Sequence, residues 1–332
     1  MNRFEIVAPV DLAHATRLLG RENTMAIAGG VDLLDLLKLD VASPTTLVNL
    51  KGLKELDGID VKPDGSLRIG ALAKIGTIAD HPEIIERFTA IAEAAENAAT
   101  PQIRNLATAA GNLTQRPRCW YFRNPDTLCL RKGGKICFSI AGLNRYHAIL
   151  GGGPSFIVHP SNLAPALIAY RASVHIVGPG SERTVDLEKF FTLPTVDSRR
   201  ENVLVPGEII TAILVPKPPD NARSSYLEVR EKQSFDWPLV SAAAMVATVG
   251  PNSKEVRDAR VVMGAVAPIP WRSTPAEDVI KNRPLNIARA RDAAEAALKG
   301  AIPMSDNAYK VRIAKAVVRR AILKSAGIEE VA

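Results

Sequence analysis

The three cysteines of this 332-residue chain, Cys119, Cys129 and Cys137, all fall between positions 119 and 137. They sit in a polar, arginine-rich stretch from about 114 to 155 that carries few apolar residues per turn. That is long for a loop without regular structure, and such loops are functional or tied down by something other than a core. An odd, clustered set of cysteines is a poor disulfide framework and a better metal or iron–sulfur candidate. The tightest basic group of the sequence, Arg116, Arg118, Arg123, Arg131 and Lys132, surrounds the same cysteines.

The rest of the chain is built to bury a core. It is 47% hydrophobic but only 5% aromatic, so the core must be mostly aliphatic. Its length implies two or three domains. No apolar run is long enough for a transmembrane helix. The N-terminus lacks the apolar segment and cleavage site of a signal peptide, so export of this chain by itself is not expected. The net charge of +7 fits a generally basic surface or an anionic partner. The basic residues are scattered and accompany no nucleic-acid-binding motif, which argues against nucleic acid.

The periodicity predicts a β-α-β start over the first 55 residues or so: strands at Phe4 to Val7, Met25 onward and Thr46 to Leu50, with helices presenting Leu12, Ala15, Leu18 and Leu19 and then Leu33 to Leu39. A strand at Ser66 to Gly70 and helices at Lys74 to Asp80 and Pro82 to Ala99 follow. Beyond the cysteine stretch, Ala164 to Ala172 reads as helix and Ser173 to Val177 as strand. The proline-rich break at Pro216 to Asn221 marks the last domain, with strands at Ser225 to Val229, Leu239 to Val249 and Ala259 to Ala265 and helices at 286–299 and 306–325. The division is 1–57, 58–218 with the cysteine-bearing insertion at about 114–155, and 219–332.

Two small-residue loops carry the chemistry. In Ala26-Ile27-Ala28-Gly29-Gly30-Val31-Asp32-Leu33-Leu34 the paired glycines leave backbone N–H groups free to face one cavity, and a helix N-terminus follows. This suits a pyrophosphate, although most Gly-Gly turns are only turns, and the pattern is not the G-x-G-x-x-G dinucleotide fingerprint. The second loop ends in Thr108-Ala109-Ala110-Gly111-Asn112. The two could clamp a dinucleotide from opposite sides; the plainer reading of the second is a helix-to-strand connection.

With Gln102-Ile-Arg-Asn-Leu-Ala-Thr-Ala-Ala-Gly-Asn112, His159-Pro-Ser-Asn-Leu-Ala-Pro-Ala-Leu167 and Gly264-Ala-Val-Ala-Pro-Ile-Pro-Trp-Arg272 in that order, the chain resembles the FAD-binding (medium) subunit of the xanthine dehydrogenase, or molybdenum hydroxylase, family. The resemblance implies an α+β chain: a two-part FAD-binding region of the vanillyl-alcohol-oxidase (PCMH) type and a C-terminal α+β domain of the CO-dehydrogenase flavoprotein type. It implies that residues 26–34 with Thr108, Gly111 and Asn112 hold the FAD pyrophosphate, and that Asn162, Ile210 and Glu228 lie at the cofactor. The chain departs from the family pattern at Val31 (usually Thr), Ala110 (Gly), Asn162 (Asp) and Glu228 (a Lys is common there).

The cysteine-bearing segment looks like the [4Fe–4S] insertion of the aldehyde oxidoreductase and 4-hydroxybenzoyl-CoA reductase subgroup. Such clusters take four thiolates; this chain has three cysteines, and the fourth position falls near Ser155 or Tyr146. His147, His159 or Asp126 could complete the set. A Cys₃His zinc site and a metal-free loop stand as alternatives.

The implied role is an electron relay. A molybdenum-cofactor large subunit would act on an aldehyde, purine or aromatic substrate. A [2Fe–2S] small subunit would pass electrons to FAD here, and FAD to an external acceptor. No residue stands out as a substrate acid or base. A self-sufficient FAD oxidase and a flavin-free scaffold are the rival readings. The complex is expected in the cytoplasm, or in the periplasm if a partner carries it there.

Overall fold

The computed structural model describes residues 1–232 and 235–329. The chain opens with a three-stranded parallel sheet of β1 (Glu5–Val7), β2 (Thr24–Ile27) and β3 (Thr46–Asn49), in the order β1-β3-β2. The helix Leu12–Leu19 joins β1 to β2. Asp11 caps it by accepting the His14 N–H at 2.6 Å, and Ala15, Leu18 and Leu19 are its buried face, as the i, i+3, i+4 spacing requires. The helix Leu33–Lys38 follows the Gly-Gly turn directly. Parallel pairing of β2 with β3 therefore puts the turn at the carboxyl end of β2, where a crossover begins.

A five-stranded antiparallel sheet follows, formed by β4 (Ile59–Val61), β5 (Leu67–Gly70), β6 (Ser173–Gly178), β7 (Ser181–Asp186) and β8 (Ile209–Val215) in the order β4-β5-β8-β6-β7. Helices Ile75–Asp80, Pro82–Arg87, Thr89–Glu96 and Leu163–Ala169 contribute to the same core. The single helix expected over Pro82 to Ala99 is broken at Phe88. Its backbone leaves the helical region (φ −128°, ψ 43°) and its ring packs, fully buried, 5.3 Å from that of Tyr170.

The last sheet is antiparallel: β9 (Ala222–Arg230), β10 (Pro238–Thr248), β11 (Val256–Gly264) and β12 (Trp271–Arg272), ordered β12-β11-β10-β9. Strand β10 is buried on both faces. Val240, Ala242, Ala244 and Val246 belong to one core with the helices Thr274–Ile280, Ile287–Leu298 and Tyr309–Ser325, while Ala243 and Met245 join the core of the preceding sheet. Successive side chains of a strand point to opposite faces. A strand covered on both sides therefore reads as a continuous apolar run.

Residues 114–155 contain only one helical turn, Trp120–Arg123, and two 3₁₀ turns, Leu130–Lys132 and Phe138–Ile140. A small cluster of Leu36, Phe122 and Cys129 seats this insertion on the helix after the Gly-Gly turn. At its other end Asn144 and His147 are tied to the C-terminal domain. The Asn144 amide donates to Ser305 Oγ at 2.8 Å, and Asn307 Nδ2 donates to His147 O at 3.1 Å. Among the described residues no helix is long and apolar enough to cross a membrane.

Candidate functional site

The two small-residue loops meet. A Cβ on Gly29 would fall 2.1 Å from the carbonyl oxygen of Leu106, so only glycine lets the first loop lie against the second. Gly30 has φ +74°, a left-handed conformation that turns the chain into the following helix. In the second loop Thr108 caps the short helix Ala109–Leu113 by accepting the Gly111 N–H at 3.3 Å.

Between the loops lies a cavity of about 600 Å³, within the roughly 300–1,000 Å³ typical of cofactor sites. Ala26, Ala28, Gly29, Gly30, Val31, Asp32 and Leu33 line it from the first loop. Thr108, Gly111 and Asn112 line it from the second, and Asn162 and Ile210 from beyond. Three of the expected contacts are not on its wall. Leu34 is 39% exposed and lies beside Gly30. Ile27 does not line the cavity although its neighbours Ala26 and Ala28 do. Glu228 stands one residue behind the wall. Its Oε2 accepts Asn162 Nδ2 at 3.0 Å and the Tyr226 hydroxyl at 2.7 Å, and its Oε1 accepts Arg230 Nε. Glu228 thus reaches the cavity only through Asn162, which it orients.

Asn112 is oriented in the same way: its Oδ1 accepts the Ser161 hydroxyl at 2.6 Å and the Leu163 N–H at 3.3 Å. Buried amides with both partners fixed present a defined remaining edge.

Asp32 does not cap the helix it precedes. It is bound by the insertion instead. Arg118 and Arg123 donate to Oδ1 at 2.9 and 2.6 Å, and the Arg116 N–H donates to Oδ2 at 2.8 Å. Arg123 also reaches Asp35 at 2.7 Å. Arg116 and Arg118 line the cavity, and the Arg118 guanidinium stacks 4.4 Å from the ring of Trp237. Phe235 and Trp237, 58% and 43% exposed, stand at the cavity rim. Sequence reading did not find these aromatics, nor the turn Leu204 to Gly207 that also lines the wall. The Pro206-Gly207 pair marked that turn; nothing in the sequence marked Trp237.

The three cysteines, none in a disulfide, line one small cavity with Ser155. Burial pushes the Cys119 thiol up to about 11; Phe122 and Tyr121 N–H groups oppose the rise and the neighbouring Cys137 and Cys129 add to it. His147 Nε2 is 3.3 Å from Cys119 Sγ, and Ser139 Oγ is 3.1 Å from Cys137 Sγ. Burial, with Lys310 nearby, brings His147 down to about 4, so its ring is neutral at pH 7. The other candidate ligands lie elsewhere. His159 packs edge-on to Phe191, its Nδ1 accepting the Ser161 N–H, and Asp126 sits in an exposed turn. Among the described residues no group of three Cys, His, Asp or Glu side chains is arranged to hold a metal ion, so this geometry favours neither the zinc site nor the iron–sulfur cluster.

Comparison with known proteins follows this geometry. Residues 2–218 match the family model described as the FAD binding domain in molybdopterin dehydrogenase, and residues 224–325 match the CO dehydrogenase flavoprotein C-terminal domain. The chain is 35% identical over 292 residues to the aldehyde oxidoreductase FAD-binding subunit PaoB of Escherichia coli (strain K12), covering 87% of each chain. It is 27% identical over 332 residues to the carbon monoxide dehydrogenase medium chain of Hydrogenophaga pseudoflava, covering 96% of each. The solved carbon monoxide dehydrogenase of the same organism superposes with a TM-score of 0.76 at 25% identity over 98% of each chain.

Proposed function

Because the chain belongs to the family of FAD-binding subunits of molybdenum hydroxylases, we propose that it is the medium subunit of a heterotrimer in which a molybdenum-bearing large subunit oxidises the substrate and a small iron–sulfur subunit delivers electrons to this chain. The observation that carries the reading is the contact of the Gly29-Gly30 loop with the Leu106 carbonyl, which brings the two small-residue loops to one cavity. Ala26 and residues 28–33 would take one side of the FAD pyrophosphate and Thr108, Gly111 and Asn112 the other. FAD bound there supplies the passage between one- and two-electron carriers. The protein's part is to orient and shield it. Asn162, fixed by Glu228, directs its free amide edge into the cavity. Arg116 and Arg118 place positive charge on its wall. Phe235 and Trp237 narrow the rim. We divide the chain accordingly into 1–57, 58–218 and 219–332.

The insertion would hold a second redox group, an iron–sulfur cluster. Its donor chemistry fits: three thiols share one cavity wall, each of Cys119 and Cys137 with a hydrogen-bonding neighbour. The cavity measures about 10 Å³, room for about one water-sized probe, so the loop from Cys129 to Cys137 must open to admit a cluster.

Anaerobic addition of an aldehyde to the purified complex tests the relay. The flavin absorbance should bleach. In a complex carrying Gly30→Asp the molybdenum and [2Fe–2S] centres should still be reduced while turnover with an external acceptor disappears. Full turnover by a flavin-free complex would refute the assignment.

A further inference from the structure

We infer that Glu228 is a positioning residue: it fixes the polarity of Asn162, so that this part of the cavity wall is a hydrogen-bond acceptor and takes an N–H edge of the cofactor, not its phosphates. The inference rests on the FAD reading above.

The hydrogen bonds settle which way the Asn162 amide lies. Glu228 is ion-paired with Arg230, whose Nε donates to Oε1. A carboxylate only accepts, so the Asn162 atom 3.0 Å from Oε2 is the NH2 nitrogen. Tyr226 closes the arrangement. Burial, with Glu228 beside it, pushes its pKa well above the ordinary phenol value. The hydroxyl therefore keeps its proton and donates it to Oε2 at 2.7 Å. The Tyr226 oxygen is left to accept from Asn162 Nδ2, 3.4 Å away. Both NH2 protons are thus spent behind the wall. Asn162 Oδ1 has no hydrogen-bond partner among the described residues and is the edge left to the cavity.

Asn112, on the same wall, is set the opposite way. Its Oδ1 accepts the Ser161 hydroxyl and the Leu163 N–H. The Ser161 oxygen in turn accepts the Ala164 N–H at 3.0 Å. Asn112 therefore offers its NH2 group to the cavity. A donor there suits a phosphate oxygen, whereas the Asn162 carbonyl repels one and suits a ring N–H. FAD carries such groups on its isoalloxazine and on its adenine. Glu228 also strengthens the acceptor it aims, because a hydrogen bond from the amide to an anion polarises the amide toward its oxygen.

The test compares variants of the assembled complex. In Glu228→Gln, Arg230 keeps the oxygen of the new amide on its own side. Its NH2 group then faces Asn162, which must turn its oxygen inward and its NH2 group to the cofactor. Asn162→Ala only removes the acceptor. Glu228→Gln/Asn162→Asp returns an acceptor to the cavity at the same total charge. Titration of the deflavinated complex with FAD should show affinity lowered about tenfold in Glu228→Gln, about threefold in Asn162→Ala and restored in the double variant. A residue behind the wall then outweighs the one on it, and a role in folding alone predicts no rescue. Spectroelectrochemistry locates the N–H edge. An oxygen beside the isoalloxazine opposes added electrons and an N–H favours them, so the flavin midpoint potential should rise in Glu228→Gln and return in the double variant. The same affinity pattern with potential and absorbance unmoved assigns the edge to adenine. Wild-type affinity in Glu228→Gln, or an equal defect in Asn162→Ala with no rescue, overturns the inference and leaves the FAD assignment standing. A wild-type complex that takes up no FAD sinks that assignment and the inference with it.

Discussion

Asp32 and Arg123, 91 positions apart in sequence, are joined by a 2.6 Å hydrogen-bonded ion pair. Asp32 belongs to the turn that lines the large cavity, and Arg123 closes the helical turn that begins one residue after Cys119. The pair therefore couples this cavity-lining loop to the cysteine-bearing insertion. Arg123 is only 9% exposed, and its guanidinium is otherwise bound to Asp35 and to the carbonyls of Arg116 and Pro117. Removing Asp32 leaves Arg123 with Asp35 and the two carbonyls, so the cost falls below the roughly 3–5 kcal/mol of a buried charge left wholly uncompensated. Asp32→Ala is expected to weaken FAD retention and to expose residues 116–135 to protease together. Loss of one effect without the other, measured by flavin content and limited proteolysis of the same preparation, would show that the two sites are not coupled through Asp32.

Gly29 tests the loop-to-loop contact. A methyl group at this position would overlap the Leu106 carbonyl, with only 2.1 Å between them. The backbone of one loop must then shift, and with it the cavity wall that the two loops share. Gly29→Ala should lower FAD affinity at least tenfold while the chain stays folded, and Gly29→Asp should abolish retention by adding charge repulsion. Isothermal titration of the deflavinated complex with FAD reads both. Wild-type affinity in Gly29→Ala would place the pyrophosphate elsewhere.

Much of this site was legible in the sequence because it is built from local chemistry. Paired glycines after an apolar strand and the Leu33-Leu34-Asp35-Leu36-Leu37 run announce a turn and a helix without help from the rest of the chain, whereas the segment read as a loop or helix-to-strand connection at Thr108 is a short capped helix, Ala109–Leu113. The β10 run from Leu239 to Ala247 was legible for a different reason, since both faces are buried. Strand β7 escaped notice because its Ser-Glu-Arg-Thr segment is exposed throughout and has no apolar alternation. Of the three expected contacts that lie off the cavity wall, Ile27 and Leu34 share a continuous segment with lining residues, so segment membership alone does not separate them. Glu228 lies behind the cavity because Asn162 intervenes. Trp237 reaches Arg118 across more than a hundred positions, a distance over which residue spacing carries no signal.

Trp237 links the C-terminal domain to the cavity rim through its stack on Arg118. A cation over an aromatic face contributes about 0.5–2 kcal/mol, depending on solvent exposure. Trp237 is 43% exposed, so the lower half of that range applies. Trp237→Ala should leave FAD bound, since Arg118 keeps Asp32 as a partner, but should open the rim. FAD dissociation is expected to accelerate about three- to tenfold, and oxidation of the reduced flavin by ferricyanide to quicken, with Trp237→Phe restoring most of the wild-type behaviour. Unchanged rates in Trp237→Ala would remove this ring from the wall of the bound flavin's site.

Lys310 holds the other end of the insertion. Its Nζ donates to the carbonyls of Ala265 at 2.6 Å, His147 at 3.1 Å and Tyr146 at 3.4 Å, so one buried side chain ties the insertion to the C-terminal sheet. Burial brings its pKa down from 10.5 to about 7. For a cation depressed on folding, the unfolded chain binds more protons than the folded one between the two values, so stability rises as pH rises from about 7 toward 10. Below about pH 7 the folded protein bears the full cost of burying the ammonium. The melting temperature of the complex should therefore climb over that range by an increment that Lys310→Met abolishes. The same variant leaves the Ala265 carbonyl without this donor, at about 1–3 kcal/mol for a buried unpaired acceptor. His147 O keeps Asn307 as a donor, so residues 144–148 should loosen without unfolding. Hydrogen exchange confined to that segment is the expected signature. A pH slope identical in wild type and Lys310→Met would show that the ammonium titrates at its ordinary value and that the three carbonyls outweigh its burial.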